Sequence, residues 1–173
     1  MHARYVMLAA YNRWANRRLY AAAAGLSPQD YTADRGAFFR SMHGTLNHLL
    51  ATDRIWMKRF TGEGDAPDRL DAIIAEDRET LTGLREAEDQ RIVDYVAGLT
   101  EADLTGSVRY RTVTAPRTVE QHLAPALDHL FNHQTHHRGQ AHAILTGLGR
   151  EAPALDLIFF QREAGLGGVR FLD

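Results

Sequence analysis

Apolar residues recur every three or four positions in four long segments of this 173-residue chain, which is the spacing of one face of an α-helix. The four predicted helices cover residues 2–24, 38–60, 67–97 and 118–148. The start of the fourth helix has two interpretations: a capping-box pattern begins at Thr118, but Pro125 favours a start nearer Ala124. A shorter apolar segment at 153–160 predicts a short C-terminal helix.

A different pattern separates the third and fourth helices. Polar and apolar residues alternate between Ser107 and Val113, and Gly106 and Pro116 flank them, which predicts a short extended segment or hairpin. We see no internal repeat, low-complexity linker or second domain. The pattern therefore predicts an all-α single domain over residues 1–173, a four-helix bundle with a longer crossover before its fourth helix and a short C-terminal helix.

Composition narrows the kind of protein. Hydrophobic residues make up 45% of the chain and charged residues 24%, as in soluble globular domains. The formal net charge of −2 provides no electrostatic case for binding nucleic acid. No uncharged apolar run reaches the roughly 18 residues of a membrane span, and the amino terminus lacks a signal-peptide pattern. We therefore expect a cytoplasmic protein that binds neither nucleic acid nor membranes.

Histidines are concentrated in the fourth predicted helix. Four of the nine in the chain lie within nine residues: His129, His133, His136 and His137. A separation of four residues places His129 with His133, and His133 with His137, one helical turn apart, where two neutral imidazoles can reach one cation. The chain contains no cysteine, so a metal here would be bound by nitrogen and oxygen atoms.

The apolar stripe of the same helix distinguishes between these pairs. Its members are Leu123, Leu127, Leu130, Ala141, Ile144, Leu145 and Leu148. His133 and His137 lie at one edge of the stripe, whereas His129 and His136 are rotated roughly 40–100° toward the polar side. His133 and His137 are therefore the better inward-pointing pair. The alternative is a histidine-rich polar face that binds no metal.

His48, in the second predicted helix, is the predicted third ligand. It shares a helical face with the large apolar residues Ile55 and Trp56, while His43 is turned roughly 140° away. Catalytic zinc sites commonly use three protein ligands and keep one position open, which a trio of His48 with the fourth-helix pair would satisfy. The alternative is a hydrogen-bonded core histidine without a metal.

Several other kinds of site lack their defining residues. The residue after His133 is Gln134, so the His-Glu-x-x-His motif of zinc proteases is absent. The chain has no Glu-x-x-His pair of the kind that binds two irons in helical bundles. Glycine motifs for phosphate or dinucleotide binding and the Gly-x-Ser-x-Gly motif of serine hydrolases are also absent.

Three segments resemble the DinB/YfiT-like superfamily, most closely its DinB branch. They are Tyr-Asn-Arg-Trp-Ala-Asn at 11–16, Leu-Asn-His-Leu-Leu-Ala-Thr-Asp-Arg-Ile-Trp at 46–56 and His-Gln-Thr-His-His-Arg-Gly-Gln at 133–140. Together the resemblance extends over nearly the whole chain. Carried over by position, it assigns metal binding to His48, His133 and His137, the same three residues that the helical spacing selects. It implies a four-helix bundle, frequently dimeric, that holds one divalent transition metal such as zinc or nickel, with iron as a further option.

The resemblance also implies a class of chemistry. A three-histidine site leaves the cation its full 2+ charge, which lowers the pKa of a bound water or thiol. We therefore expect a hydrolase, or a thiol-dependent transferase or isomerase, that acts on a small-molecule substrate. A low-molecular-weight thiol is a candidate partner. No catalytic residue is assigned. The alternative is a non-catalytic, stress-associated module that binds a metal or small ligand. Closure of the site by His129 or His136 would favour this alternative.

The imidazoles that bind a metal need hydrogen-bond acceptors that fix their tautomers. The candidate acceptors are Asn47, Thr52, Asp128, Asn132 and Asp156.

Overall fold

Four long helices and a small hairpin make up most of the chain in the computed structural model, which describes residues 1–166, Gly168 and Arg170. The rest of the predicted 1–173 domain lies outside the described residues. In chain order the elements are α1 (His2–Ala24), α2 (Pro28–Thr32), α3 (Met42–Thr61), α4 (Arg78–Gly98), α5 (Glu101–Thr105), β1 (Ser107–Arg111), β2 (Thr118–His122), α6 (Leu123–Gly147) and α7 (Leu157–Glu163). The prediction of an all-α fold is confirmed in part: the described chain is mostly helical but also contains a two-stranded antiparallel sheet.

The long helices pack in a closed set of pairs. α1 and α3 each lie against both α4 and α6. The apolar faces predicted from the spacing point between them, and Leu19, Leu49, Leu81 and Leu127 are buried there with at most 1% of their surface exposed. Burial of these faces is the main stabilising term for helices of this kind. For the site, the important consequence is that α3 and α6 lie side by side.

The second predicted helix starts four residues too early, because α3 begins at Met42 and not at residue 38. Arg40 has a φ of 68°, in the left-handed region, so the backbone cannot run through it as a right-handed helix. Ser41 then caps α3 by accepting a hydrogen bond from the backbone N–H of Gly44.

The third predicted helix, 67–97, is wrong over its first eleven residues. α4 begins at Arg78, after Asp77 accepts a hydrogen bond from the N–H of Thr80. Residues 67–77 form turns and irregular structure instead. The side chain of Asn47 on α3 accepts hydrogen bonds from the N–H groups of Ile74 (2.7 Å) and Ala75 (3.0 Å). These tertiary contacts satisfy backbone groups that a helix would otherwise have paired.

The region before α6 is a hairpin, as one of the two interpretations of the alternating pattern predicted. β1 and β2 pair antiparallel, with Ser107 opposite His122 and Arg111 opposite Thr118. The capping box predicted at Thr118 is wrong because that residue begins β2, and the later start is confirmed because α6 begins at Leu123. Pairing with β1 occupies the backbone groups that a helix start at Thr118 would need.

The shorter elements differ from the prediction at their ends. The C-terminal helix α7 covers Leu157–Glu163, whereas the apolar segment predicted 153–160. The helix α2 was not predicted; Ser27 caps it, and Pro28 occupies its first turn. Within the described part of the chain, no helix combines the length and the apolar character needed to cross a membrane.

Candidate metal centre

α3 and α6 bring His48, His133 and His137 together. One ring nitrogen from each lies within 4.8 Å of the corresponding nitrogen of the other two. The Nε2 atoms of His48 and His133 are 3.3 Å apart, and the ring of His137 is centred 4.3 Å from each of the other two rings. Nitrogens bound at about 2.0–2.1 Å to one tetrahedral zinc ion are separated by about 3.3 Å, so the spacing fits a single cation.

Hydrogen bonds orient two of the three rings. His48 Nδ1 lies 2.7 Å from the carbonyl oxygen of Leu70, and His137 Nδ1 lies 2.9 Å from Oε1 of Gln140. Both oxygens are acceptors, so each Nδ1 carries the proton and each Nε2 keeps a free lone pair. Nδ1 of His133 is buried and has no hydrogen-bond partner among the described residues. Two of the three imidazoles are therefore held in a metal-binding tautomer.

The surroundings also keep the imidazoles neutral. Burial lowers the pKa of His48 to about 4, and burial together with the neighbouring histidines lowers the pKa of His133 to about 3. Burial lowers the pKa of His137 as well, although its hydrogen bond with Gln140 opposes the shift. At pH 7 all three are in the neutral form that binds metal ions, and no proton has to be displaced.

His129 and His136 are outside this group. Both are exposed on α6. The ring of His129 packs 5.0 Å from that of Trp56, and Nε2 of His136 lies 3.2 Å from Nε2 of Gln140. Among the described residues the cluster therefore consists of three histidines, as the helical wheel predicted, and neither neighbour joins it.

Among the described residues, none of the five acceptors proposed from the sequence is hydrogen-bonded to an imidazole of the cluster. Asn47 holds the loop that supplies Leu70, so it acts on His48 indirectly. The other four make no hydrogen bond to the three imidazoles: Thr52 donates to the backbone carbonyl of His48, Asp128 accepts from Tyr5, and Asn132 and Asp156 are exposed. The actual acceptors are Leu70 and Gln140. Gln140 was predictable as the residue one turn after His137, whereas the Leu70 carbonyl carries no sequence signal.

A buried polar network lies between the four long helices beside the cluster. At its centre is Arg85 of α4, with Nη1 2.8 Å from Oδ2 of Asp53 and Nη2 3.1 Å from Oδ1 of Asp89. Hydrogen bonds extend it to buried side chains of α1 and α6, namely Asn12, Asn16, Gln134 and Arg138. Burial raises the pKa of both carboxyl groups, and the positive charge of Arg85 opposes that shift.

Gln134 connects this network to the histidines. Its Nε2 donates to the backbone carbonyl of Leu49, 3.0 Å away, and to the carboxylate of Asp53. Gln134 follows His133 in α6, and Leu49 follows His48 in α3. The bond therefore joins the two helices one residue from a histidine on each side, which sets their relative position at the site.

These features define a class: a mostly helical protein in which two adjacent helices present a three-histidine group close enough to hold one metal ion. The model of the DinB family matches residues 1–167, and the chain belongs to the DinB family. It is 25% identical over 154 residues to Protein DinB of Bacillus subtilis (strain 168), a match that covers 84% of this chain and 87% of that protein. Its fold is similar to the crystal structure of a DinB-like protein from Bacillus cereus ATCC 10987, with a TM-score of 0.62, 15% identity and coverage of 82% of this chain and 90% of that one.

Proposed function

We propose that His48, His133 and His137 bind one divalent transition metal and that the protein is a metal-dependent enzyme. The observation that carries this proposal is the convergence of three neutral imidazoles whose ligand atoms lie within 4.8 Å of one another. Nitrogen ligation of this kind suits zinc and nickel, and iron is also compatible. We further propose that α1, α3, α4 and α6 form a four-helix bundle, in keeping with their pairwise packing.

The chemistry follows from the ligand set. A cation held by three neutral nitrogens would keep its full 2+ charge. It would therefore lower the pKa of a water or thiol bound to it. The chain itself contributes ring orientation, through the Leu70 carbonyl and Gln140, and low proton affinity, through burial. These features support a hydrolase or a thiol-dependent transferase or isomerase that acts on a small molecule.

The positions of His129 and His136 favour an enzyme over a purely structural metal site. Structural zinc sites in proteins are usually closed by four protein ligands, whereas catalytic sites keep a position open. Among the described residues only three histidines offer ligand atoms within 4.8 Å of one another. The rings of His129 and His136 neighbour those of His133 and His137, but they also contact Trp56 and Gln140 and do not join the group.

The first experiment is elemental analysis of the purified protein before and after exposure to zinc or nickel. We expect about one metal per chain in the wild type and its loss in His48→Ala and His133→Ala, because each variant removes one of three ligands. His122→Ala is the matched control, since this exposed histidine directly precedes α6 and lies outside the cluster. A wild type that stays metal-free, or ligand variants that keep the metal, would overturn the proposal.

Turnover is tested separately on the metal-loaded protein, with the metal-depleted protein as the blank. Ester and amide hydrolysis report activation of water, and transfer of a low-molecular-weight thiol to an electrophile reports activation of a thiol. Full metal occupancy without turnover in either assay would favour a non-catalytic binding module.

A further inference from the structure

The side chain of Phe39 lies directly on the three-histidine cluster. Its ring centroid is 3.6 Å from that of His48 with an angle of 18° between the planes, which is a stacked arrangement. Its edge also approaches His137, at 5.5 Å between centroids and 61°. The preceding residue, Phe38, is 80% exposed. Phe39 is half-buried and its ring packs edge-on against that of Phe38, with 4.9 Å between centroids, but of the two only Phe39 contacts the histidines.

An unusual turn places Phe39 there. Arg40 has a φ of 68°, a conformation that side-chain-bearing residues rarely adopt, and its N–H donates to the carbonyl of Ala37 at 2.8 Å. The guanidinium of Arg40 is held by the carboxylate of Asp34, with 2.9 Å between Nε and Oδ2. Backbone strain of this kind persists only where surrounding contacts maintain it, and it is common near functional sites.

Gly44 in the first turn of α3 provides the space for this arrangement. A Cβ atom at position 44 would lie 2.2 Å from the carbonyl oxygen of Phe39, closer than any real contact. Only glycine lets the Phe39 backbone approach the helix so closely. The left-handed conformation of Arg40 and the absence of a side chain at Gly44 thus together allow the Phe39 ring to lie on His48.

A cavity of about 520 Å³ adjoins this turn. Phe38, Phe39, His43, Asp71 and Ile73 are among the residues that line it, and none of the three clustered histidines does. Phe39 therefore lines this cavity and also stacks its ring on His48.

We propose that Phe39 is a positioning residue of the metal centre: stacking fixes the plane of the His48 imidazole, and the ring closes the side of the centre that faces the cavity. The proposal rests on metal binding by the three histidines. Small molecules then reach the metal from a direction other than this cavity. Loss of the ring would loosen one ligand and open a second route to the metal.

Metal release tests this role without an activity assay. The wild type and the variants Phe39→Leu, Phe39→Tyr and Phe38→Leu are loaded with zinc, and the rate of zinc transfer to excess chelator is measured. We expect release from Phe39→Leu to be at least about tenfold faster, because loss of groups that orient ligands commonly weakens metal binding by that factor. Phe39→Tyr keeps the stacked ring. Phe38→Leu changes an exposed side chain that contacts the ring of Phe39 but none of the three histidines. Both should therefore stay within about twofold of the wild type.

A second measurement reports the stacking itself in metal-free protein. The ring protons of His48, identified by their loss in His48→Ala, should be shifted upfield by the stacked ring in proton NMR spectra. The shift should disappear in Phe39→Leu and remain in Phe38→Leu. Gly44→Ala provides an independent test, since it displaces the Phe39 backbone while keeping the ring, and it should also accelerate zinc release.

The outcomes separate this inference from the proposed function. If the wild type binds zinc and Phe39→Leu releases zinc at the wild-type rate, the proposed role of Phe39 is overturned, while the proposed metal site still stands. Equal acceleration in Phe38→Leu would do the same. Wild-type protein that takes up no zinc would overturn both proposals.

Discussion

Buried neutral histidines make stability sensitive to acid. An unfolded histidine titrates near 6.5, whereas in the folded protein the pKa of His48 is about 4 and that of His133 about 3. Between these values the unfolded chain binds protons that the folded chain does not bind. In this range each of the two histidines makes the free energy of unfolding of the metal-free protein increase with pH, by up to about 1.4 kcal/mol per pH unit. Above about pH 6.5 the histidines add no further dependence on pH.

Urea unfolding of metal-free protein between about pH 4 and pH 7 measures this slope. His133→Asn should reduce the slope because it removes a titrating group. The raised pKa of Asp53 contributes a slope of opposite sign, which is common to the wild type and the variant and cancels in the comparison. Equal slopes in His133→Asn and wild type would contradict the burial of a neutral imidazole there.

At the scale of elements, the contact between α3 and α6 determines whether the histidines meet. Gln134→Leu keeps the side-chain volume but leaves the carbonyl of Leu49 and one carboxylate oxygen of Asp53 without this donor. An unsatisfied buried polar group costs about 1–3 kcal/mol, so we expect the free energy of unfolding to fall by about that amount. Chemical denaturation of the two proteins gives the difference.

The matched control is Gln90→Leu, an exchange of the same residue types on the exposed face of α4. Its effect on the free energy of unfolding should stay within about 0.5 kcal/mol. Comparable losses in the two variants would show that the buried amide does not hold α3 against α6.

For the whole molecule, the polar network connects all four long helices around one arginine. When both carboxyl groups are ionised, Asp53, Asp89, Arg85 and Arg138 balance in charge, and all four side chains are at most 2% exposed. Arg85→Met leaves two buried carboxylates without their shared cation, and breaking a buried ion pair on one side costs about 3–5 kcal/mol. We expect a loss of free energy of unfolding in this range.

A double-mutant cycle tests whether the network acts as a unit. Asp53→Asn combined with Arg85→Met restores the balance of charge, so it should cost less than the sum of the two single variants, by about 0.5–3 kcal/mol. Arg69→Met is the control for loss of an ion pair, because Arg69 and Asp71 are paired on the surface. It should leave the free energy of unfolding unchanged. Strict additivity of the buried pair would contradict a coupled network.

Local pattern alone determined much of this protein. The four long helices follow from apolar spacing, since a helix buries one stripe of side chains wherever it packs. The selection of His48, His133 and His137 follows from the same geometry, because residues four apart at the edge of an apolar stripe must point to one side of the helix. A different local pattern, the alternation of polar and apolar residues between Ser107 and Val113, offered the hairpin before α6 as one of its two interpretations.

Tertiary structure decided what depends on residues far apart in the chain. The loop at 67–77 is not a helix because Asn47 pairs with its backbone, and that loop then provides the Leu70 carbonyl that orients His48. Thr118 begins a strand because β1 lies beside it. Phe39 reaches His48 only through a left-handed turn seated on Gly44. Each outcome depends on which partner satisfies a backbone group or fills a space, and helical periodicity contains no information about either.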